Sequence, residues 1–379
     1  MTSIATIESI AVALPLIHPM KMSGVEIRTA DNILVRLETA TGVIGWGEAA
    51  SAPNMTGETV ESMLAAVRYM TPYLKGLSIE DAGAIHEEMN WRMVGNHAAK
   101  AAIDIALCDA LGQVKRLPAS ALLAPNRTLR TLRTRVPVLW LIGTGSTEGD
   151  VREALAKQAD GFVSFKIKVG AHTVADDAAR TVTICSALSE RNRAGLLISA
   201  DANQAWSTED ALGYVRAVAK ATHALDFLEQ PCRAENIEGM ARVAAATTIA
   251  IGTDEGIHSL ADIRTHHAAR AATGASIKTI KLGGLRPALQ AGLLCDALGM
   301  KVNLACKIAE SSIGTAAILQ LAAALPQIDW SVSPSCQYLE ADLVRAPIRV
   351  RDGHVDIPSG YGLGVEVDEA RLAMFRRKA

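Results

Sequence analysis

The chain has no charge surplus: 38 lysines and arginines stand against 40 aspartates and glutamates in 379 residues, a formal net charge of −2. That excludes an overall field favouring nucleic acid or an anionic membrane, and no basic run or zinc-finger spacing supplies a local one. No apolar run reaches the ~18 residues that a spanning helix needs. The N-terminal stretch MTSIATIESIAVALPLIHP lacks a positive n-region and carries Glu8, so it reads as a strand of the mature protein rather than a leader. There is no CxxC pair. The six cysteines (Cys108, Cys185, Cys232, Cys295, Cys306 and Cys336) are scattered, which argues against a disulfide frame and fits reduced, mostly buried thiols in a cytoplasmic protein. No low-complexity linker divides the chain.

What is present falls into two regimes. Residues 1 to about 45 read as strands, with a Gly-containing turn at Thr41-Gly42 between two alternating runs. From Glu58 to about Arg116 the pattern is helical: ETVESMLAAVRYMTPYL is amphipathic, and HAAKAAIDIALCDALGQ is Ala-rich with Ile103, Leu107 and Leu111 in step. Strands followed by helices make an α+β unit, placed at residues 1–128. From 129 to 345 eight short apolar runs alternate mostly with helical stretches. Several are apolar at nearly every position, as strands covered on both faces are. Eight such strands predict a closed βα barrel. The tail, 346–379, has no barrel rhythm and is expected to fold back on the N-terminal unit.

Charged residues end the barrel runs. Lys166 and Lys168 lie in GFVSFKIKV, Asp201 in GLLISADAN, Glu229 in ALDFLEQP, Asp254 in TIAIGTDE and Lys278 in ASIKTIKLGG. The steps between successive runs are roughly 25 to 35 residues, one strand-plus-helix unit. The C-terminal ends of barrel strands share one mouth, so three carboxylates and two or three lysines are expected around one small space. Crowded carboxylates repel unless a cation neutralises them, and an all-oxygen set suits Mg²⁺. Taken singly, each acid would serve equally well as the N-cap of the next helix. Lys166 and Lys168, two apart on a strand, share a face. Each is expected to lower the proton affinity of the other, as would a nearby cation, moving it toward the range where a neutral amine is available. Lys281 rivals Lys278 but sits nearer the Gly-Gly turn, where it could be merely solvated. Glu255 could pair with Lys278, Asn203 could orient the site or cap a helix, and Glu310 could hydrogen-bond a substrate carboxylate if protonated. Met20, Met22, Trp140 and Tyr338 suggest a partly apolar pocket, and Lys21 and Arg28 could meet an anion. The segments 15–32 and 51–62 are expected as entrance loops. Trp46, Gly47 and Glu48 read as structural.

The ordered set Lys-Ile-Lys, Asp-Ala-Asn, Glu-Gln-Pro, Asp-Glu and Lys-x-x-Lys-x-Gly-Gly resembles the enolase superfamily, specifically its muconate lactonizing enzyme subgroup in the mandelate racemase / muconate lactonizing enzyme family. The AAKAAIDIALCDALG helix, the WGE hairpin and the PSGYGLGVEVD tail extend the resemblance over nearly the whole chain. It implies a modified (β/α)8 barrel, (β/α)7β, with an N-terminal α+β capping domain. It implies Mg²⁺ on Asp201, Glu229 and Asp254, with Lys168 and Lys278 flanking the substrate. Lys166 would support Lys168, Glu255 would pair with Lys278, and Glu310 would lie near the substrate carboxylate. It also implies a homo-oligomer acting on a small carboxylate. The expected chemistry is abstraction of an α-proton through an enediolate, giving racemization, epimerization or cycloisomerization, with an amino acid derivative among the candidate substrates. A dehydratase of a hydroxy acid or hydroxylated imino acid would share the first step. The eighth-strand end, SVSPSCQYLEADL, lacks the Asp-x-Asp of the related dipeptide epimerases, which argues against that substrate. A pyridoxal-phosphate or Schiff-base barrel would use the lysines but leave the three acids without a role.

Overall fold

The computed structural model describes residues 2–22, 25–124, 126, 129–191 and 195–377. Strands β1 (Ile4–Met22), β2 (Val25–Thr39) and β3 (Ile44–Ala50) form an antiparallel sheet in that order. The β2–β3 turn has Gly42 at φ 81°, where a side chain is disfavoured. Against this sheet pack α1 (Val60–Leu74) and α3 (His97–Lys115), with α2 (Ala82–Arg92) on α1 and α4 (Ala119–Leu123) on α3. A Thr59–Ser62 capping box starts α1. The glycines of β3 and the alanines of α3 explain each other. A Cβ on Gly47 would stand 2.0 Å from the Ala102 carbonyl, so helix and strand meet backbone to backbone. Strand 44–50 is thereby fixed on α3, and its Glu48 is fully buried.

Short strand β4 (Arg135–Pro137) precedes the barrel. The barrel strands are β5 (Leu139–Ile142), β6 (Ser164–Lys168), β7 (Leu197–Asp201), β8 (Phe227–Glu229), β9 (Ala250–Thr253), β10 (Gly274–Ile277), β11 (Lys301–Ala305) and β12 (Val332–Ser333). They form one eight-stranded sheet in sequence order, every pairing parallel. A parallel bridge from Val138 to Val332 brings its edges together. The intervening helices are α5 (Thr147–Ala159), α6 (Val174–Arg191), α7 (Thr208–Ala221), α8 (Ile237–Ala245), α9 (Leu260–Ala268), α10 (Thr279–Leu282), α11 (Leu285–Ala297) and α12 (Ser312–Ala324). The architecture is the modified TIM-type barrel with an α+β cap. Trp330 stacks on Phe227 at 4.0 Å between ring centroids and fills the barrel floor. A Cβ on Gly274 would lie 2.3 Å from its ring, so that strand must be bare there.

The tail reaches both units. Strands β13 (Val350–Arg351) and β14 (His354–Asp356) extend β4 into a small sheet, and bridges join Arg376 to Val12 and Gly362 to Pro118. Its last helix is α13 (Glu369–Phe375). The entrance expected as a loop over 15–32 is mostly strand: β1 and β2 continue as a long hairpin, with a register shift between Pro15 and Met20. All six cysteines are buried and unpaired. Among the described residues no helix is long and apolar enough to cross a membrane.

Candidate active site

Register places the acids. Lys168 pairs with Asp201, Asp201 with Glu229, and Glu229 with Gly252 across β6 to β9. Residues in one row of a parallel sheet point to one face, so Lys168, Asp201 and Glu229 all enter the barrel. Asp254 lies two residues beyond Gly252 and returns to that face. These acids do not cap helices: the N-caps of α7, α8 and α9 are Ser207, Asn236 and Ser259. That removes the alternative open in the sequence. All three acids line a cavity of about 750 Å³ that also takes in Lys166, Lys168, Asn203, Glu255 and Lys278.

Each acid is engaged by an ammonium. Lys168 Nζ donates to Asp201 at 2.5 Å and to Asn203 Oδ1 at 2.9 Å. Lys166 donates to Glu229, and Lys278 to Asp254. Lys281 donates to the Asp254 carboxylate at 2.6 Å, to its carbonyl, and to the Ser276 carbonyl at 3.0 Å. Lys281 is thus fully buried, not solvated beside its turn as the sequence suggested. The cause is a break after Ile277: α10 carries Lys281 back toward Asp254.

The electrostatics follow from this pairing. Burial alone would raise Asp201, but Lys168 and Lys166 hold it below the usual carboxylate range. Burial opposes ionisation of Asp254 too, yet Lys278 and Lys281 hold it well below that range. Burial raises Glu229, because repulsion from Asp201 and Asp254 offsets the pull of Lys166. Burial would lower Lys278, but Asp254, Glu255 and Glu229 raise it. Lys166 is likewise raised, since Glu229 and Asp201 outweigh its burial. Lysine–lysine repulsion by itself therefore does not bring Lys166 toward neutrality: the nearby acids exert the larger effect.

Two supporting residues sit differently from expectation, and a third, Asn203, takes one of its two expected places. Glu255 does not pair with Lys278; its Oε1 accepts from Asn203 Nδ2 at 3.1 Å, and Lys278 is taken by Asp254. Burial and the neighbouring Asp254 push Glu255 up to about 7. Asn203 links Lys168 to Glu255 and is not a helix cap. Glu310 is buried behind the cavity wall rather than lining it, with Oε2 lacking a partner among the described residues; burial pushes it up to about 8. Two residues escaped the sequence reading. Gln230, whose side chain accepts from the Asp254 and Gly256 amides at 2.8 and 3.1 Å, fixes the turn that aims Asp254. Its signal was the Gln of Glu-Gln-Pro. Lys307, after β11, also lines the cavity.

Ile27, Arg28, Met55 and Tyr338 furnish the outer walls. Trp140 does not, contrary to expectation: alternation along β5 turns Leu139 and Leu141 inward, while the Trp140 indole donates outward to Glu153 at 3.0 Å. Met20 packs against the core rather than the cavity. The side chains of Lys21 and Met22 lie outside the described residues. Glu48 clamps cap to barrel, accepting from Ser311 N at 2.9 Å and from Gly314 N at 2.8 Å.

Residues 4–124 match the Mandelate racemase / muconate lactonizing enzyme N-terminal domain, and residues 150–371 match the Enolase C-terminal domain-like family. A chloromuconate cycloisomerase of Cupriavidus pinatubonensis is 32% identical over 375 residues, 97% of this chain and 96% of that protein. An L-Ala-D/L-Glu epimerase of Bacillus subtilis is 29% identical over 365 residues, 96% of each chain. A muconate lactonizing enzyme from Pseudomonas fluorescens, solved with muconolactone, superposes at TM-score 0.92 with 30% identity, over 99% of this chain and all of that one. Members of this family generally use a divalent metal. The chain therefore belongs to the mandelate racemase / muconate lactonizing enzyme family, and it is an isomerase of the enolase superfamily.

Proposed function

We propose that this protein exchanges a proton at the carbon α to a carboxylate of a small substrate, with Lys168 and Lys278 acting from opposite walls. The observation that carries the reading is their placement. Lys168 ends β6 and Lys278 follows β10, four strands away around an eight-stranded barrel, and both line one cavity. A planar intermediate held between them is open to an amine on each face. If one amine removes the proton and the other returns one, the carbon inverts. If one amine delivers a proton after internal addition of an oxygen to a double bond, the substrate cyclises. The cycloisomerase and the epimerase among the relatives carry these two outcomes in their names.

Asp201, Glu229 and Asp254 fit a divalent cation such as Mg²⁺ by their chemistry. They are oxygen donors from successive strand ends, buried in one cavity, and they repel one another. Among the described residues no three acidic, His or Cys side chains converge as they stand on one ion position, because each of these acids is turned to an amine. When bound, the cation supplies stabilisation of the negative charge that collects on the substrate carboxylate. Lys168 and Lys278 move protons, Asn203 orients Lys168, and Lys166 and Lys281 hold Glu229 and Asp254 in place. A homo-oligomer in a reducing, cytoplasmic setting is carried over from the family likeness and the unpaired thiols. Proton NMR of candidate carboxylates in D₂O tests the function. Loss of the α-hydrogen signal with the carbon skeleton retained or cyclised supports it; a dehydrated keto or imine product contradicts the isomerase outcome.

A further inference from the structure

A cluster of three buried charges stands behind the β6 wall, and the chemistry above does not use it. Asp150 on α5 meets Asp177 and Arg180 on α6; both acids are fully buried and Arg180 is 5% exposed. Residues three apart share a helix face, which puts Asp177 and Arg180 together. Arg180 donates one arm of its guanidinium to Asp150 and the other to Asp177 at 3.1 Å. That second nitrogen also donates to the main-chain carbonyl of Lys168. Replacing a buried ion triad by apolar side chains of like volume is often no loss of stability, so stability alone does not account for the cluster.

Each acid ties down a turn at the barrel mouth. Asp150 accepts from the Thr144 amide at 2.7 Å and from its hydroxyl at 2.8 Å, between β5 and α5. That turn runs along the Lys168 stem: a Cβ on Gly143 would stand 3.4 Å from the Lys168 Cβ and 3.6 Å from its Cγ. Asp177 accepts from the Gly170 amide at 2.6 Å, two residues past Lys168. Gly170 has φ 92°, and a Cβ there would lie 2.4 Å from that of Ala205, in the loop that also carries Asn203. One guanidinium is thus joined to the Lys168 backbone, to the turn beside its stem and to the turn after it. The β10 wall is built otherwise: the Lys278 carbonyl accepts from Lys281 N at 3.3 Å, within its own turn.

We propose that Arg180 is a positioning residue for Lys168: with Asp150 and Asp177 it fixes the backbone and stem of that lysine, and through them the place of its ammonium, while Lys278 is set independently. A guanidinium suits the task because its planar fork holds two carboxylates and a carbonyl at set angles, which the point charge of a lysine does not. The consequence for catalysis rests on the proton-exchange reading. A base displaced by about an ångström loses much of its rate although the substrate still binds. Arg180 therefore acts on one face of the substrate carbon.

The test compares wild type, Arg180→Met and Arg180→Lys as whole proteins with Mg²⁺ present; Arg180→Lys keeps a charge between the acids and decides the matter should Arg180→Met not fold. Acetic anhydride labels the amines, and peptide mass spectrometry gives the labelling rate of Lys168 relative to Lys278 in the same molecules. That ratio is expected to rise severalfold over wild type, most in Arg180→Met. Deuterium uptake at the α-carbon of any carboxylate found to exchange should slow roughly 10- to 100-fold on the face that Lys168→Ala loses, with the other face kept within about twofold and KM unchanged. A ratio that stays at the wild-type value overturns the proposal. So does an equal loss on both faces, the mark of a merely structural charge cluster. Labelling needs no turnover. A raised ratio in a protein without α-proton exchange would therefore defeat only the catalytic reading.

Discussion

The two lysine walls of the barrel do similar work with different backbones. On the β6 wall, Lys166 and Lys168 are two apart on a regular strand, the inner one on Glu229 and the outer one on Asp201. On the β10 wall, Lys278 and Lys281 are three apart, and a strand end followed by a one-turn helix brings both onto Asp254. In each case a deeply buried amine tethers an acid and a second amine looks into the cavity. The period-2 rule read the first wall; on the second, nearness to the Gly-Gly turn suggested a solvated Lys281, whose true position depends on where the strand stops.

The comparison breaks most sharply at the outer amines. Lys168→Ala and Lys278→Ala should each lower turnover by roughly 10²- to 10⁴-fold, the range of a lost general acid or base, with folding checked by circular dichroism. Unequal losses would show which wall limits the rate. The inner amines should matter first for stability. Lys166→Met and Lys281→Met each take a partner from a buried carboxylate and should cost about 3–5 kcal/mol in urea unfolding. The loss should be the larger for Lys281, which also satisfies two carbonyls.

A weaker effect separates both walls from the neutral acid behind them. Glu310 has a folded pKa of about 8 against an ordinary 4.5. The folded state therefore holds the extra proton between those values. Its contribution is complete below the ordinary pKa and fades as pH rises toward 8. Unfolding measured from pH 5 to 8 should show stability falling with pH, by an amount on the order of a few kcal/mol, and Glu310→Gln should flatten the slope. The smallest expected effect is at Asn203, the link from Lys168 to Glu255. Asn203→Ala should slow exchange by roughly fivefold, the worth of one hydrogen bond, with substrate affinity kept.

The barrel was legible because eight short apolar runs at a steady spacing have few other solutions. Asp201, Glu229 and Lys168 were legible because each sits at a strand end, where row and face follow from alternation. What escaped depends on local departures from regular backbone. Glu255 and Lys278 follow the neighbouring strands β9 and β10, yet Asn203 and Asp254 take their bonds. Trp140 looked like a pocket residue until the register of β5 turned it outward. Lys307 lies in a loop whose path is set by Ser335 and the cap, two contacts far away in sequence. The glycines of β3 were read as part of a hairpin, but their purpose, contact with the α3 backbone, exists only once sheet and helix meet.

The claim on which the rest stands is that the two outer amines address opposite faces of one carbon. The most direct measurement follows α-deuterium uptake separately in the two stereoisomers of a turned-over substrate, or in the two α-positions of a lactone product, for Lys168→Ala and Lys278→Ala. Complementary patterns are expected, each variant losing exchange on one face and keeping it on the other. Loss of the same face in both variants, or undiminished exchange on both faces in either, would contradict it.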